Sequence, residues 1–450
     1  MSEVIKLRKG LNIPLAGKAD KVFGQTHLPG LFAIKPTDFH GLTPKMVVKA
    51  DDLVQIGSVL FYDKFRPEIK FVSPVSGVVK DIVRGERRII QEIIIENNNK
   101  DEYVDFGAQA IASLNRESVI QKMLETGAWP YLRQRPYNII ANPEITPKSI
   151  FISGFDSSPL AIDVEFALAG QEDAFKAGIE ALKFLAPEVH LGLRVNSASK
   201  AYSDLAGVKT HHFSGPHPVG NVGVQIHHIS PINKGERVWT IQPQDVVSIG
   251  NLFLTGKHDF TRVVAVAGSE VKKPLYYRSR IGSSVSNLLK DNLKKNGTLR
   301  IISGNVLTGD QIPDDGYLGF FHDLITVIPE GDEYEFLGWA LPGFGKFSHS
   351  RTFFSWLSKG KKEYELNANK HGSVRAIVVS GEYEKVLPMD ILVEFLIKAV
   401  MSDDVDKMEQ LGIYELVEED IALCEYADTS KQTLQSILRG GMELMIKEMG

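Results

Sequence analysis

Five of the twelve histidines in this 450-residue chain, His211, His212, His217, His227 and His228, fall within one short stretch. Imidazoles grouped in this way could hold zinc, a site usually completed by a thiolate or a carboxylate. The flanking run Phe213-Ser-Gly-Pro-His-Pro-Val-Gly-Asn-Val-Gly223 supplies neither and reads as a turn-rich loop. A surface or packing role is expected there, and no metal site. The single cysteine, Cys424, excludes an internal disulfide and any iron–sulfur cluster or structural zinc site built on several thiolates. It is expected to be an inert thiol on a helix.

Three other groupings bear on ligand binding. Glu125-Thr-Gly-Ala-Trp-Pro130 follows a helical pattern and has one glycine. A loop that cradles phosphate needs residues without Cβ and inward N–H groups; the bulk of Trp129 and the missing N–H of Pro130 oppose both. Ser153-Gly-Phe-Asp156 comes directly after an apolar run that reads as a strand, at the carboxyl edge where α/β sheets bind ligands. Trp339, Phe344, Phe347, Phe353, Phe354 and Trp356 could receive a flat apolar headgroup, although such clusters more often form core. No G-x-G-x-x-G occurs, since Gly220-Asn-Val-Gly223 is too sparse, and Gly345-Lys346 is followed by Phe347 rather than the hydroxyl of a Walker A loop. No catalytic residue is assigned.

The elements that must position these residues change character along the chain. Met46–Val79 alternates β-branched runs with turns at Asp52–Gly57 and Pro74–Gly77, a pattern similar to a lipoyl/biotinyl-type sandwich. The hairpin-like tip Asp81–Arg88 carries arginines and no lysine to modify, so the module reads as structural. From about 104 to 250, strands expected at Ser149–Ser153, Val189–Val195 and Arg237–Ile241 alternate with helices at Ser118–Thr126 and Glu172–Leu185, which gives an α/β, Rossmann-like domain with a largely parallel sheet. Residues 261–309 read as two strands, a capped helix at Ser283–Leu293 and a further strand, the pattern of a small β-grasp fold. Residues 317–380 read as irregular and aromatic-rich with several short β-runs. Past Pro388 the apolar spacing is that of a helical bundle. The expected units are therefore 1–100, 101–255, 256–330, 331–385 and 386–450.

Composition sets the outer bounds. Hydrophobic residues are 43% and charged residues 24%, the formal net charge is −5, and no Lys/Arg block is long enough to hold anionic lipid or nucleic acid. No apolar run reaches the roughly 18 residues of a spanning helix, and the first ten residues lack the apolar core of a signal peptide. A chain that stays in the cytoplasm and reaches a membrane only through partners is expected.

Ile34-Lys-Pro-Thr-Asp-Phe-His-Gly41, Phe71–Val79, Thr126–Pro130 and Trp339-Ala-Leu-Pro-Gly-Phe-Gly-Lys-Phe-Ser348, taken with the order of modules, resemble the NqrA family of the Na⁺-translocating NADH:quinone reductase over essentially the whole chain. More distantly the chain is similar to the flavin-binding subunit of complex I and to the RnfC family. The resemblance implies a degenerate flavin site in the α/β domain, an SLBB β-grasp module, and no redox centre in this chain. FAD, FMN, riboflavin and a 2Fe–2S centre are implied in sibling subunits. The other Nqr subunits, NqrB to NqrF, are the implied partners, with the membrane protein NqrB foremost, at the cytoplasmic face of the inner membrane. A quinone, ubiquinone or menaquinone, would enter the old flavin cleft at Gly127, Trp129, Pro130 and Phe155. The rival readings are a pure assembly scaffold and an independent flavin/NADH dehydrogenase.

Overall fold

Short β-branched runs broken by turns build the first module of the computed structural model, which describes residues 4–449 apart from 26–27, 198, 200–201, 203–204, 295–296, 332–334, 339 and 358–361. Leu31–Ile34, Ile90–Asn97, Gly77–Arg84 and Leu53–Val54 form one sheet in that order, and Pro44–Met46, Val59–Asp63 and Lys70–Val72 form a second. Phe32, Ile93, Ile95 and Val79 from the first sheet and Phe61, Phe71 and Val72 from the second are buried in one core, with the Phe61 and Phe71 rings stacked at 4.5 Å. Burial of one face of each sheet is what fixes the strand registers.

The strands Ile150–Ser153, Val189–Arg194, Val208–Ser214 and Val238–Thr240 pair in parallel. The first lies in the middle, with the second and third on one side and the fourth on the other. The chain thus reverses its winding direction between Ile150–Ser153 and Val238–Thr240, the crossing point where doubly wound sheets leave a crevice. The helices Glu172–Leu182 and Pro243–Thr255 bury most of their apolar side chains in the same core as the sandwich. Arg133–Arg135 and Ile139–Ile140 extend one edge antiparallel.

Two strands from the expected 1–100 unit lie elsewhere. Val4–Lys6 closes the far edge of the α/β sheet, parallel to Val208–Ser214. Asp20–Phe23 joins the SLBB sheet beside Leu275–Arg280. Nothing local in three or four residues names a partner some 200 or more positions away, so these pairings escape a pattern-based reading.

The SLBB sheet runs Asp310–Ile312, Leu299–Ser303, Leu324–Pro329, Thr261–Ala267, Leu275–Arg280, Asp20–Phe23. The capped helix expected at Ser283–Leu293 is a single turn, Ser286–Leu289, with no side-chain cap; Ser284 and Ser286 instead share a hydroxyl–hydroxyl contact of 2.9 Å. Beyond Leu324–Pro329 the several β-runs expected up to 380 are not formed. The described part of that stretch is irregular apart from the short turn Phe354–Leu357 and a bridge between Tyr364 and Leu15. Its aromatics divide: Phe344, Phe354 and Trp356 are exposed, Phe353 is half-buried, Phe347 packs half-buried against the core of the tail helices, and Trp339 lies outside the described residues.

The tail helices Val393–Met401, Val405–Gln410, Glu418–Ala427 and Leu434–Met449 pack through Leu396, Ile421, Leu438 and Met442 into a core that also takes in Phe151, Phe213 and Ile226 of the α/β domain. Among the described residues no helix is long and apolar enough to cross a membrane.

Candidate functional site

The apolar strand Ile150–Ser153 ends at Gly154, and the turn that leaves its carboxyl end is built from small polar residues. Ser153 Oγ lies 2.8 Å from the carbonyls of Phe155 and Gly220 and accepts from Gln225 Nε2 at 2.8 Å. The Asp156 carboxylate accepts from the Ser158 N–H at 2.7 Å and from its hydroxyl at 2.9 Å. Ser157 Oγ accepts the Gly220 N–H at 2.8 Å and sits 3.0 Å from His217 Nδ1. A Cβ on residue 220 would come within 2.6 Å of the Ser157 nitrogen, so this close approach of two loops requires glycine.

Across the crossing point, Val238–Thr240 runs through Ile241 and Gln242 into the helix Pro243–Thr255. Gln242 Nε2 donates to the Phe321 carbonyl at 2.9 Å, while its Oε1 is buried with no partner among the described residues. Gln244 is locked to the Val263 backbone, accepting its N–H at 2.8 Å and donating to its carbonyl at 3.0 Å. Between these two strand ends lies a cavity of about 150 Å³, walled by Phe155, Asp156, Gln242 and Arg133. Leu307 of the SLBB module and Glu419 of the tail close it.

Its electrostatics are uneven. The Arg133 guanidinium stacks over the Phe321 ring at 4.8 Å, and among the described residues no carboxylate lies within ion-pair distance of it. Burial pulls its pKa down, yet a guanidinium stays charged. Its neighbour Arg135, by contrast, holds Glu419 at 2.5 Å and Asp420 at 2.6 Å. Burial, and secondarily the charge of Asp156, push the Asp323 carboxyl up to about 7; burial also raises Asp156. Burial holds His217 down at about 4, so its imidazole is neutral. The cavity therefore offers a cation with no carboxylate in ion-pair contact among the described residues, a carboxyl that keeps its proton up to near neutrality, and an aromatic wall.

Three family models match: the NqrA N-terminal barrel-sandwich hybrid domain at residues 5–98, the NqrA second alpha/beta domain at 114–258 and the SLBB model described as the NQRA C-terminal domain at 263–313. The NqrA protein of the Na(+)-translocating NADH-quinone reductase of Serratia proteamaculans is 38% identical over 97% of this chain and 98% of its own length. Its counterpart in Haemophilus influenzae is 37% identical over 99% and 100%, and that of Rhodopirellula baltica 36% identical over 99% and 98%. The chain belongs to the NqrA family of the Na⁺-translocating NADH-quinone reductase. It is by that membership part of an oxidoreductase complex. Among solved structures, an NAD⁺-reducing [NiFe]-hydrogenase aligns over 74% of this chain and 61% of its own at 11% identity with a TM-score of 0.38, a likeness too slight to argue from.

Within this NqrA-family fold, the four residues expected to receive a quinone are parted. Phe155 lines the cavity, whereas Gly127, Trp129 and Pro130 do not. Gly127 ends the helix Arg116–Thr126 in the left-handed region at φ 73°, and a Cβ there would meet Val72 of the sandwich at 2.7 Å. Trp129 is fully buried; its Nε1–H donates to the Ala141 carbonyl at 2.7 Å and its ring meets Trp239 edge-on at 5.5 Å. Pro130 is buried in the short turn Trp129–Tyr131. The same bulk that closes this turn to phosphate fills the space itself.

The histidines scatter. His211 Nε2 meets His190 Nδ1 at 3.0 Å, and His228 Nε2 meets the Pro388 carbonyl at 2.7 Å. His227 does have an acidic partner, Glu415 at 2.9 Å, supplied by the tail from 188 positions away and so invisible in the local flank. Among the described residues no three His, Cys, Asp or Glu side chains gather as a metal site. Cys424 is buried on the helix Glu418–Ala427, and burial pushes its thiol pKa up. No motif in the sequence singles out Arg133, Gln242 or Asp323. Only the Arg-Gln-Arg alternation at 133–135 hints that charges enter a sheet.

Proposed function

We propose that this chain is a peripheral, cytoplasmic-face component of the sodium-pumping reductase, held by its membrane proteins, NqrB foremost, with a role on the quinone side and no redox centre of its own. The carrying observation is the cavity at the crossing point of the sheet, where Arg133, with no carboxylate in ion-pair contact among the described residues, shares the wall with Phe155 and Asp323. A quinone ring is flat and carries an acceptor at each end, so it matches an aromatic wall with a cationic donor and a protonated carboxyl. Size supports the same reading. About 150 Å³ is below the roughly 300–1,000 Å³ of pockets for drug-sized ligands, enough for one ring and too little for a flavin or dinucleotide with its phosphates. Electrons would come from centres on sibling subunits.

Calorimetric titration of the isolated chain with a short-chain quinone tests this. Saturable binding is expected in the wild type and its loss in Arg133→Met at unchanged thermal midpoint. Absence of binding in the wild type would leave the scaffold reading standing, and stoichiometric FMN in the purified chain would favour the flavin dehydrogenase.

A further inference from the structure

The run Ile34-Lys-Pro-Thr-Asp-Phe-His-Gly41 does not line the cavity, yet it is tied to it through one loop of the SLBB module, residues 319–323. Pro36 opens the short turn Pro36–Asp38, and the Asp38 carboxylate, 12% exposed, accepts the Phe320 N–H at 2.8 Å from 282 positions away. Lys35 braces the same turn, its Nζ donating to the Tyr317 carbonyl at 3.4 Å and lying 3.8 Å from Asp38 Oδ1. The buried Phe39 ring packs on Phe320 at 4.8 Å and meets Phe321 edge-on at 5.5 Å. The ends of the loop are anchored elsewhere: the Gly319 N–H donates to Ser303 Oγ at 2.9 Å, and the Asp323 carbonyl accepts the Ala265 N–H at 2.9 Å. Its middle serves the cavity. The Phe321 ring underlies the Arg133 guanidinium at 4.8 Å, and the Phe321 carbonyl accepts from Gln242 Nε2 at 2.9 Å.

We propose that Asp38 is a positioning residue for the quinone cavity: it fixes the middle of the loop, and through it the ring on which Arg133 rests and the carbonyl that orients Gln242. The inference deepens the quinone reading and rests on it. A carboxylate makes a stronger bond to an N–H than a neutral acceptor does, and without it the Phe320 N–H loses its partner. Phe321 is then released from under Arg133, whose long side chain regains rotamer freedom. Binding groups lose their advantage once they stray more than about 0.5 Å from the productive geometry. The order of residues in the run follows from this use: Pro36 starts the turn, Asp38 holds the backbone of the loop, and Phe39 holds its rings.

Calorimetric titration of the full isolated chain with a short-chain ubiquinone tests it. Asp38→Ala is expected to weaken binding about fivefold, the equivalent of one lost hydrogen bond. Asp38→Asn, which keeps an acceptor for the Phe320 N–H, should bind nearly as the wild type does. Phe321→Leu, which removes the flat support of Arg133, should weaken binding by about the same factor. The double variant Asp38→Ala and Phe321→Leu should be no weaker than Phe321→Leu alone, because both changes act on one support. Two losses that multiply would make Asp38 a residue of general stability and overturn the proposal. Wild-type affinity in Asp38→Ala, or failure of Asp38→Asn to restore binding, does the same. If Asp38→Ala does not fold, Phe39→Leu takes its place in the cycle with the same two outcomes. A wild type that binds no quinone overturns this inference together with the quinone reading, whereas wild-type binding with an indifferent Asp38→Ala overturns this inference only.

Discussion

Two turns of the α/β domain make opposite use of their residues. Thr126–Tyr131 closes on itself: Trp129 and Tyr131 fill the space, the indole N–H reaches the Ala141 carbonyl, and the Tyr131 hydroxyl lies 3.0 Å from His258 Nε2. Ser153–Ser158 spends its small polar side chains on its own backbone and on the loop at 217–220, and leaves a hollow in front of Arg133 and the unpartnered Gln242 Oε1. The difference shows where a ligand can be met. A large aromatic side chain with its one donor satisfied is core, however suggestive its setting in the sequence. A cation with no ion-pair partner and an acceptor with no hydrogen-bond donor among the described residues, both beside empty space, are capacity held in reserve.

The largest effect that sharpens this contrast is expected from Trp129→Ala. Loss of a fully buried aromatic costs about 3–5 kcal/mol, so denaturant unfolding should shift strongly, while quinone affinity measured on the folded protein stays as in the wild type. Affinity lost with stability kept would erase the distinction between the two turns. Next in size, Arg133→Met removes a charged donor worth about 1.5–3 kcal/mol; quinone titration should show a loss of about tenfold or more with little change in unfolding. Phe155→Ala removes one wall and, at about 0.5–1.5 kcal/mol for a stacked ring, should weaken quinone binding several-fold.

The smallest effect is expected at Asp323, whose carboxyl faces the cavity. Burial raises it from the ordinary 3.8 to about 7, so the folded state holds its proton more tightly than the unfolded chain. Its contribution to stability is fully present below about pH 4 and is lost as pH rises through about 7. Asp323→Asn should therefore be more stable than the wild type above neutrality and equal to it at about pH 4. Thermal melts of both proteins across that range measure the crossover, and a constant offset would show that the carboxyl does not titrate there.

The sequence disclosed this architecture unevenly, for physical reasons. Short continuous apolar runs located the strands Ile150–Ser153 and Val189–Arg194, which are buried on both faces, and helical spacing located Glu172–Leu182, each to within a few residues. The carboxyl-edge rule pointed to Ser153–Asp156, and the cavity lies there. Arg133, Gln242 and Asp323 meet only because the sheet and the SLBB module bring together positions far apart in the chain. The four-residue turn Ser286–Leu289 fell short of its pattern: the position before it is Val285, which has no side-chain oxygen to cap it, and the Ser284 hydroxyl meets that of Ser286.

The two strands contributed by the first 23 residues impose an order on biosynthesis. Val4–Lys6 has no partner until Val208–Ser214 has been made, and Asp20–Phe23 none until Leu275–Arg280. At about 5–20 residues per second of translation, these segments emerge roughly 10–50 s before anything they can pair with. During that interval the nascent chain carries two open β-segments ahead of a sandwich that can already close, and a neighbouring nascent chain offers them the wrong edge. Closure of the α/β and SLBB sheets is thus a late event in synthesis, possible only after Val208–Ser214 and Leu275–Arg280 have emerged.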